Sequence, residues 1–383
     1  MKIAVDSWTL ASRFRCQGTY VYTQNLLREF KKLARKETAV RFSLFASSRN
    51  GNDAIHIAPA DGFELCASAL LDHDRLWRFG GAGLSASRAH ANVMFIPTAA
   101  TLPIGSVPAV CTIHDVTPIT MPSHSAAIGA IQRVLLKGCA RLSHTIITSS
   151  ECSKRDIVTH LGVPEEKVVV IHDGCNQSLF NADPPNMAAL AALHARLGIT
   201  KPYLLHHGTI QPRKNLKRLI EAFRLMLANN ADLDFDLVLA GRRGWASDEI
   251  TSAAESNSRG RVILAGMLDD SDLALMIKGA SLAVVPSLYE GFSLPMVEAM
   301  ACGVPTVASN TSCLPEISGN ALAYFDPWSC GEMAACMQTV LLDSELRLRL
   351  SQNGIVRSRE FTWECCARQT LDVLINAGKA GRN

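Results

Sequence analysis

The sequence predicts an α/β protein built from two doubly wound parallel-sheet domains that face a cleft. Three observations carry this. The chain has 383 residues, more than a single hydrophobic core usually organises. Short apolar runs alternate with segments of helical period along nearly all of it. The alternation breaks once, in the Pro-containing stretch NADPPNMAAL at residues 181–190, and then restarts.

KIAVD opens the chain as a strand, and Tyr22, Leu26, Phe30 and Leu33 recur on one face of the helix that follows. RFSLFAS, NVMFIP, AVCTIHD, HTIITSS and KVVVIHDG read as further short strands. AIGAIQRVLLKGCARL reads as a helix between two of them. Beyond the linker, PYLLHHG is a strand, and Leu216, Leu219, Ile220, Phe223 and Leu227 share a helix face. DLVLAG, RVILAG, LAVVPS and VPTVAS supply more strands, each ending at Gly, Pro or Ser. The expected domains are residues 1–180 and 198–358. A last helical segment, 359–383, could pack on either domain, including back on the first.

Composition narrows the function class. Hydrophobic residues make up 48% and charged residues 19%, an ordinary globular balance. A formal net charge of +3 is too small to argue for nucleic acid. The 12 cysteines are scattered without a C-x-x-C pair, and no signal-peptide pattern is visible, so reduced thiols and a cytoplasmic location are expected. The uncharged run at residues 91–113 holds Pro97, Pro103, Gly105 and Pro108, which makes it strand, loop and strand rather than a spanning helix. REFKKLARK, residues 28–36, reads as a solvated basic helix face, or else as a contact with the anionic inner face of a membrane.

Ligands of open α/β sheets bind beyond the carboxyl ends of strands, so the residues after each strand matter most. LAVVPS is followed by Tyr289-Glu290-Gly291-Phe292-Ser293. Pro295 then suits the first turn of a helix capped by Ser293 or Leu294 and ended by Gly303 and Pro305. Its N-terminus is a natural anion site. Glu298 is the only Asp, Glu, Lys or Arg between Gly291 and Pro315. A carboxylate in such surroundings needs a partner. The partner expected is a pair of ligand hydroxyls, as on a ribose; the alternatives are local backbone or a distant Arg. Glu290, before the turn, could hold a sugar in the same way. Arg213 and Lys214 follow PYLLHHG at the start of a helix, where cations are unfavourable unless an anion joins them. A diphosphate is one such anion; a solvated surface turn is the other reading. His114 and His172 each follow a strand end, and nothing in the chain ranks one above the other. His206 and His207 lie within a strand and are expected to be structural. Gly18, read as part of the loop after KIAVD, could let backbone approach a phosphate. DLDFD precedes its strand and is set aside as a metal site, DHD at residues 72–74 has no assigned place, and no metal-ligand cluster is found. No G-x-G-x-x-G or P-loop supports a redox or ATPase reading.

HHGTIQPRKNLKRLIEAF, LVLAGRRGW, GMLDDSDLALMIKGA and PSLYEGFSLPMVEAMACGVPTVAS occur in this order, and Glu290 and Glu298 are separated by seven residues. In these stretches the chain resembles the retaining glycosyltransferases of family four, which have the GT-B fold of two facing Rossmann-like domains. The resemblance covers nearly the whole chain. It implies a nucleotide-diphosphate sugar as donor substrate, no cofactor and no metal. It implies that Glu290 and the Gly291-Phe292 backbone hold the donor sugar, with Ser293 and Leu294 on the diphosphate and Glu298 on the ribose. Arg213 and Lys214 would neutralise the leaving diphosphate, beside Gly208 and Thr209 at the end of their strand. Gly266, Met267 and Leu268 would seat the base, His114 would contact the donor sugar, and Gly18 would line the phosphate side. The first domain would take a glycan or lipid-linked acceptor, through VTPITMPSHS at residues 116–125. That stretch, with its His114-Asp115 lead, resembles bacterial mannosyltransferases of polysaccharide assembly, which makes GDP-mannose the preferred donor. A nucleotide-sugar epimerase of the same fold and a non-catalytic sugar-nucleotide-binding subunit are the alternatives.

Overall fold

A computed structural model describes residues 1–10, 18–36, 39–47, 62–68, 76–121, 125–255 and 259–381. DHD at residues 72–74 and part of VTPITMPSHS lie outside the described residues. The chain divides into two units, Met1–Gly174 together with Trp363–Asn383, and Cys175–Thr362.

The first unit contains β1 (Lys2–Asp6), α1 (Gly18–Lys36), β2 (Arg41–Ser47), β3 (Phe63–Ser68), α2 (Ala82–Arg88), β4 (Val93–Ile96) and β5 (Ala109–Thr112). It continues with α3 (Thr117–Thr120), α4 (Ala126–Leu142), β6 (Thr145–Thr148), α5 (Glu151–Leu161) and β7 (Val168–Val170). The strands form one parallel sheet in the order β3-β2-β1-β4-β5-β6-β7. Central strands buried on both faces explain why VMFI is apolar throughout and AVCT is apolar up to its last residue, Thr112. Asp6, buried at the end of β1, accepts hydrogen bonds from Trp77 Nε1 (3.0 Å), Trp8 N–H (3.1 Å) and the Thr101 hydroxyl. The uncharged run folds as β4, a loop and β5. No helix among the described residues is long and apolar enough to cross a membrane.

The second unit contains α6 (Met187–Leu197), β8 (Tyr203–His207), α7 (Leu216–Asn229), β9 (Asp236–Ala240), α8 (Asp248–Glu255), β10 (Val262–Gly266) and α9 (Asp270–Lys278). Then come β11 (Leu282–Val285), α10 (Leu294–Ala301), β12 (Thr306–Ser309), α11 (Leu314–Ser318), β13 (Ala323–Phe325), α12 (Cys330–Leu342) and α13 (Ser344–Ser358). Its parallel sheet runs β10-β9-β8-β11-β12-β13. The expected face of α7 is buried, with Leu216, Leu219, Ile220 and Phe223 all at 0% exposure against Leu237, Leu239 and Val284.

Both expected boundaries move, for local reasons. The first unit ends at Gly174 rather than 180, because Cys175 N–H donates to Phe361 O (3.0 Å) and Gln177 Nε2 donates to Ser358 O (3.2 Å). Residues 359–362 stay with the second unit, where the Phe361 ring meets Phe292 edge-on at 5.4 Å. The terminal helix, α14 (Trp363–Ala380), begins there and lies on the first unit. Its Trp363 ring is 6.1 Å from Tyr22, and Gly378 lets it approach Val93. The expected linker is helix from Met187 onward, since the Asn186 side chain caps α6 by accepting from Ala188 and Ala189 N–H.

Candidate functional site

The chain direction across the second sheet reverses between β8 and β11: β9 and β10 are added on one side, β12 and β13 on the other. Such a switch point leaves room for a ligand beyond the strand ends. The loops after β8 and β11 flank it, and these two loops carry Arg213, Lys214 and Glu290. They are tied together by Leu288 N–H donating to Arg213 O at 2.8 Å. Gly208 has φ +134°, and a Cβ there would lie 3.8 Å from Lys214 Cε, Lys214 Nζ and Pro295 Cγ. The backbone at 208, the lysine and the first turn of α10 therefore converge. Gly241, at the end of β9, packs on Gly208 so closely that a Cβ would stand 1.9 Å from its carbonyl oxygen. Thr209 follows in the same loop, just before Ile210 N–H donates to Arg242 O at 2.9 Å.

Arg213 and Lys214 lie in a short 3-10 turn, Pro212–Lys214, rather than in α7 itself. Asn215, in the left-handed region, ends that turn and begins the helix. Its side chain donates to Pro327 O at 2.7 Å and accepts from Arg218 Nη1 at 3.1 Å. The two cations share one carboxylate. Glu290 Oε2 accepts from Arg213 Nη1 at 2.7 Å, while Oε1 accepts from Lys214 Nζ and, at 2.7 Å, from Ser287 Oγ. Arg213 Nη1 also donates to Tyr289 O at 2.9 Å. Ser312 Oγ accepts from Glu290 N–H (2.9 Å) and donates to Glu290 O, fixing the backbone. Burial alone would push the Glu290 carboxyl up, but Arg213 and Lys214 outweigh it and hold the pKa at about 2. Burial pulls the Lys214 ammonium down, and Glu290 opposes that. Thus the counter-charge of the cation pair comes from the protein, where the sequence suggested a ligand anion or solvent. A carboxylate has about four acceptor sites, so Glu290 keeps one beyond these three contacts.

The helix read from PMVEAMA is α10, eight residues long. Ser293 caps it with φ 76°, and Pro295 sits in its first turn as expected. The Ser293 hydroxyl oxygen is buried and has no hydrogen-bond partner among the described residues. Gly291 and Phe292 are buried just before the cap, and Leu294 is half-buried. Gly303 (φ +70°) ends the helix, its N–H donating to Met300 O at 3.0 Å.

Glu298 has a protein partner, contrary to the expectation that its partner is absent from the chain. His207 Nε2 lies 3.0 Å from Glu298 Oε2. The sequence hides this, because His207 stands 91 residues away at the end of a buried strand. The HHG doublet is the only signal of it in the chain. Its neighbour His206 is structural: Nδ1–H donates to Val284 O at 3.0 Å. Burial, with Lys214 next in effect, lowers its pKa to about 3. Between pH 6.5 and 3 the unfolded chain binds more protons at this site, so stability falls as pH falls through that window. Between pH 6.5 and 5 the wild type is expected to lose about 2 kcal/mol through this residue, and His206→Gln to escape that part. Equal losses in urea unfolding of the two proteins would refute the assignment.

The other expected residues belong to other elements of the second sheet or to the first unit. Gly266 (φ +70°) ends β10 and Met267 and Leu268 follow it, two strands from β8 and so about 10 Å along the same sheet edge. Met267 is 61% exposed. Gly18 is the first residue of α1, not part of a loop, and a side chain there would meet nothing within 4 Å. His114, beyond β5 in the first unit, has Tyr22 edge-on at 4.7 Å, and its Nε2–H donates to Pro97 O at 3.3 Å. Burial lowers its pKa, which leaves a neutral ring with Nδ1 as acceptor near pH 7. His172 Nδ1 bonds Ser149 O at 2.9 Å. Asp236 of DLDFD opens β9 at its amino end and pairs with Arg261 Nη2 at 2.6 Å.

Residues 18–179 match the family described as Glycosyltransferase Family 4, and residues 192–357 match Glycosyl transferases group 1. The O-antigen chain mannosyltransferase B of Escherichia coli is 32% identical over 266 residues, 69% of this chain and 69% of that protein. The E. coli serotype-specific mannosyltransferase WbdA is 26% identical over 279 residues, which is 71% of this chain but 34% of that longer protein. Among solved structures, Anabaena Alr3699/HepE in complex with UDP and glucose aligns with a TM-score of 0.73 at 18% identity, covering 98% of this chain and 100% of that one. WaaG, a glycosyltransferase involved in lipopolysaccharide biosynthesis, aligns with a TM-score of 0.67 at 14% identity, covering 97% and 99%. At such identities the structural likeness speaks for the fold alone. The chain belongs to glycosyltransferase family four, has the GT-B fold, and stands close to O-antigen mannosyltransferases.

Proposed function

We propose that this glycosyltransferase is retaining and metal-independent, and that it moves mannose from GDP-mannose to a glycan or lipid-linked acceptor in bacterial surface-polysaccharide synthesis. The observation that carries this is the Lys214–Glu290–Arg213 cluster, with Lys214 and Glu290 buried and Arg213 half-buried, beside the N-terminus of α10. Two cations share one carboxylate, so the cluster keeps a net positive charge, held in place before any ligand arrives. The Ser293 cap adds a buried hydroxyl with no protein partner among the described residues, which suits it to a diphosphate oxygen.

In this reading the bond from the sugar C1 to the diphosphate oxygen breaks with oxocarbenium character. Negative charge grows on the leaving group, where Arg213 and Lys214 stabilise it with little reorganisation. The acceptor hydroxyl forms the new C1–O bond on the same face, and its proton passes to the departing phosphate oxygen. Glu290, Gly291 and Phe292 orient the sugar, Ser293 and Leu294 the diphosphate, and Glu298 the ribose. Gly208 and Thr209 keep the backbone low at the end of β8. Gly266, Met267 and Leu268 seat the base farther along the sheet edge. The family resemblance assigns His114 to the donor sugar and Gly18 to the phosphate side.

The names of the relatives favour mannose, and the guanine base rests on the resemblance alone. A thermal-shift screen of nucleotide sugars should give the largest shift with GDP-mannose, since binding stabilises as RT ln(1 + [L]/Kd). Transfer to a lipid-linked acceptor should persist in EDTA and give a product with the donor's anomeric configuration. Preference for UDP-glucose, activity restored only by Mg²⁺ or Mn²⁺, or an inverted product would each overturn the corresponding part. The same reading places the protein in the cytoplasm, touching the inner membrane face through the exposed Arg28, Lys32 and Arg35 of α1. Charge reversal of these residues that leaves binding to anionic vesicles unchanged would remove that contact.

A further inference from the structure

We propose that His207 is a positioning residue: it holds one oxygen of Glu298 so that the other is presented to the vicinal diol of the donor's ribose. This rests on the reading of Glu298 as the ribose ligand. β8 ends in His206-His207, with Gly208 next, and neighbouring strand residues project to opposite faces, so the two imidazoles part company. His206 turns to the carbonyl of Val284 on β11. His207 turns to α10, where its Nε2 meets Glu298 Oε2 at 3.0 Å.

The pair is lopsided in a useful way. The His207 side chain is 6% exposed and the Glu298 side chain 16% exposed. A carboxylate only accepts, so Nε2 carries the hydrogen and Oε2 is engaged. Oε1 has no hydrogen-bond partner among the described residues. Val297 and Ala299, on either side of Glu298, are both at 0% exposure. A glutamate has three side-chain torsions, and in such apolar surroundings His207 is the group that selects one arrangement before ligand arrives.

Position adds to this. Gly208 follows His207 directly, and Lys214 Nζ and Pro295 Cγ both approach its Cα side to 3.8 Å of where a Cβ would be. Hence the histidine spans from the strand end that carries the diphosphate cluster to the helix that carries Glu298. It sets the distance between the two groups that read the two ends of a ribose diphosphate. The plainer role, a tie that merely joins β8 to α10, predicts loss of stability with nucleotide affinity intact.

The test uses the full chain and four variants: His207→Leu, His207→Gln, Glu298→Gln, and the double variant His207→Leu/Glu298→Gln. The probe is whichever of GDP and UDP binds more tightly, together with its 2′,3′-dideoxy analogue, by titration calorimetry. His207→Leu is expected to weaken the ribonucleotide about 10-fold and raise donor KM equally, with kcat within about two-fold. His207→Gln, whose amide can still donate to Oε2, should recover most of that loss. The dideoxy analogue should bind all variants alike, and the double variant should be no weaker than Glu298→Gln. If the leucine variant does not fold, His207→Asn, too short to reach, is expected to weaken binding where Gln does not. Ribonucleotide affinity lost in Glu298→Gln but kept in His207→Leu would overturn the positioning role and leave the ribose reading intact. Affinity kept in Glu298→Gln would overturn the ribose reading and this inference with it.

Discussion

Replacing Lys214 with alanine is expected to lower kcat by about 10²–10³-fold, the usual loss when one preorganised stabilising group is removed. Lys214 is 5% exposed and its ammonium is fixed by Glu290, so its charge acts where solvent screens it little. Most of the loss should appear in kcat rather than donor KM, because leaving-group charge grows at the transition state. Lys214→Arg should rescue poorly: the larger fork does not fit a site built around a compact ammonium. Glu290 keeps Arg213 and Ser287 as partners in Lys214→Ala, so the protein should remain folded, and circular dichroism checks that. A Lys214→Ala enzyme with full kcat would end the proposed role.

Removing the shared carboxylate should do more damage to the fold than removing either cation. Glu290→Gln leaves Lys214 buried beside Arg213 with no counter-charge, and breaking such a pair typically costs about 3–5 kcal/mol. Its sign with pH follows from the depressed pKa of about 2. The wild-type contribution is present above the ordinary carboxyl range, and it is lost as pH falls through about 2. Burial already lowers the Lys214 pKa, and without Glu290 to oppose it the pKa falls further, so the lysine sheds its proton at a lower pH than in the wild type. The Glu290→Gln enzyme is therefore expected to lose kcat on raising the pH earlier than the wild type does, and to recover part of it as the pH is lowered. Denaturant unfolding and a kcat profile measure the two effects separately. Unchanged stability together with an unshifted pH profile would show that the cluster is not electrostatically coupled.

Much of the architecture is legible in the amino-acid sequence. β1, β8 and β11 announce themselves as short apolar runs ending at polar or glycine residues. PMVEAMACG carries its own start and stop in Pro295 and Gly303. Two edge strands are not legible. FELCAS in β3 has a glutamate in its interior, and AYF in β13 has only three residues. Such strands are made by pairing with a neighbour, not by their own pattern. The domain boundary also differs from the expected one, because the bond from Cys175 to Phe361 joins residues far apart in the chain.

The sequence by itself determined that this is an α/β protein with two parallel sheets, and it singled out the strand ends and charged residues that the proposed site uses. These are local properties: hydrophobic period, capping residues, and charges that stand out in apolar surroundings. Tertiary structure alone decided who partners whom. Glu290 lies between Arg213 and Lys214, and Glu298 against His207, because parallel strands return their carboxyl ends to one edge of the sheet. An isolated carboxylate in a sequence shows only that a partner must exist. Whether it is a ligand or a residue some eighty or ninety positions away depends on the crossover connections, which no local pattern records.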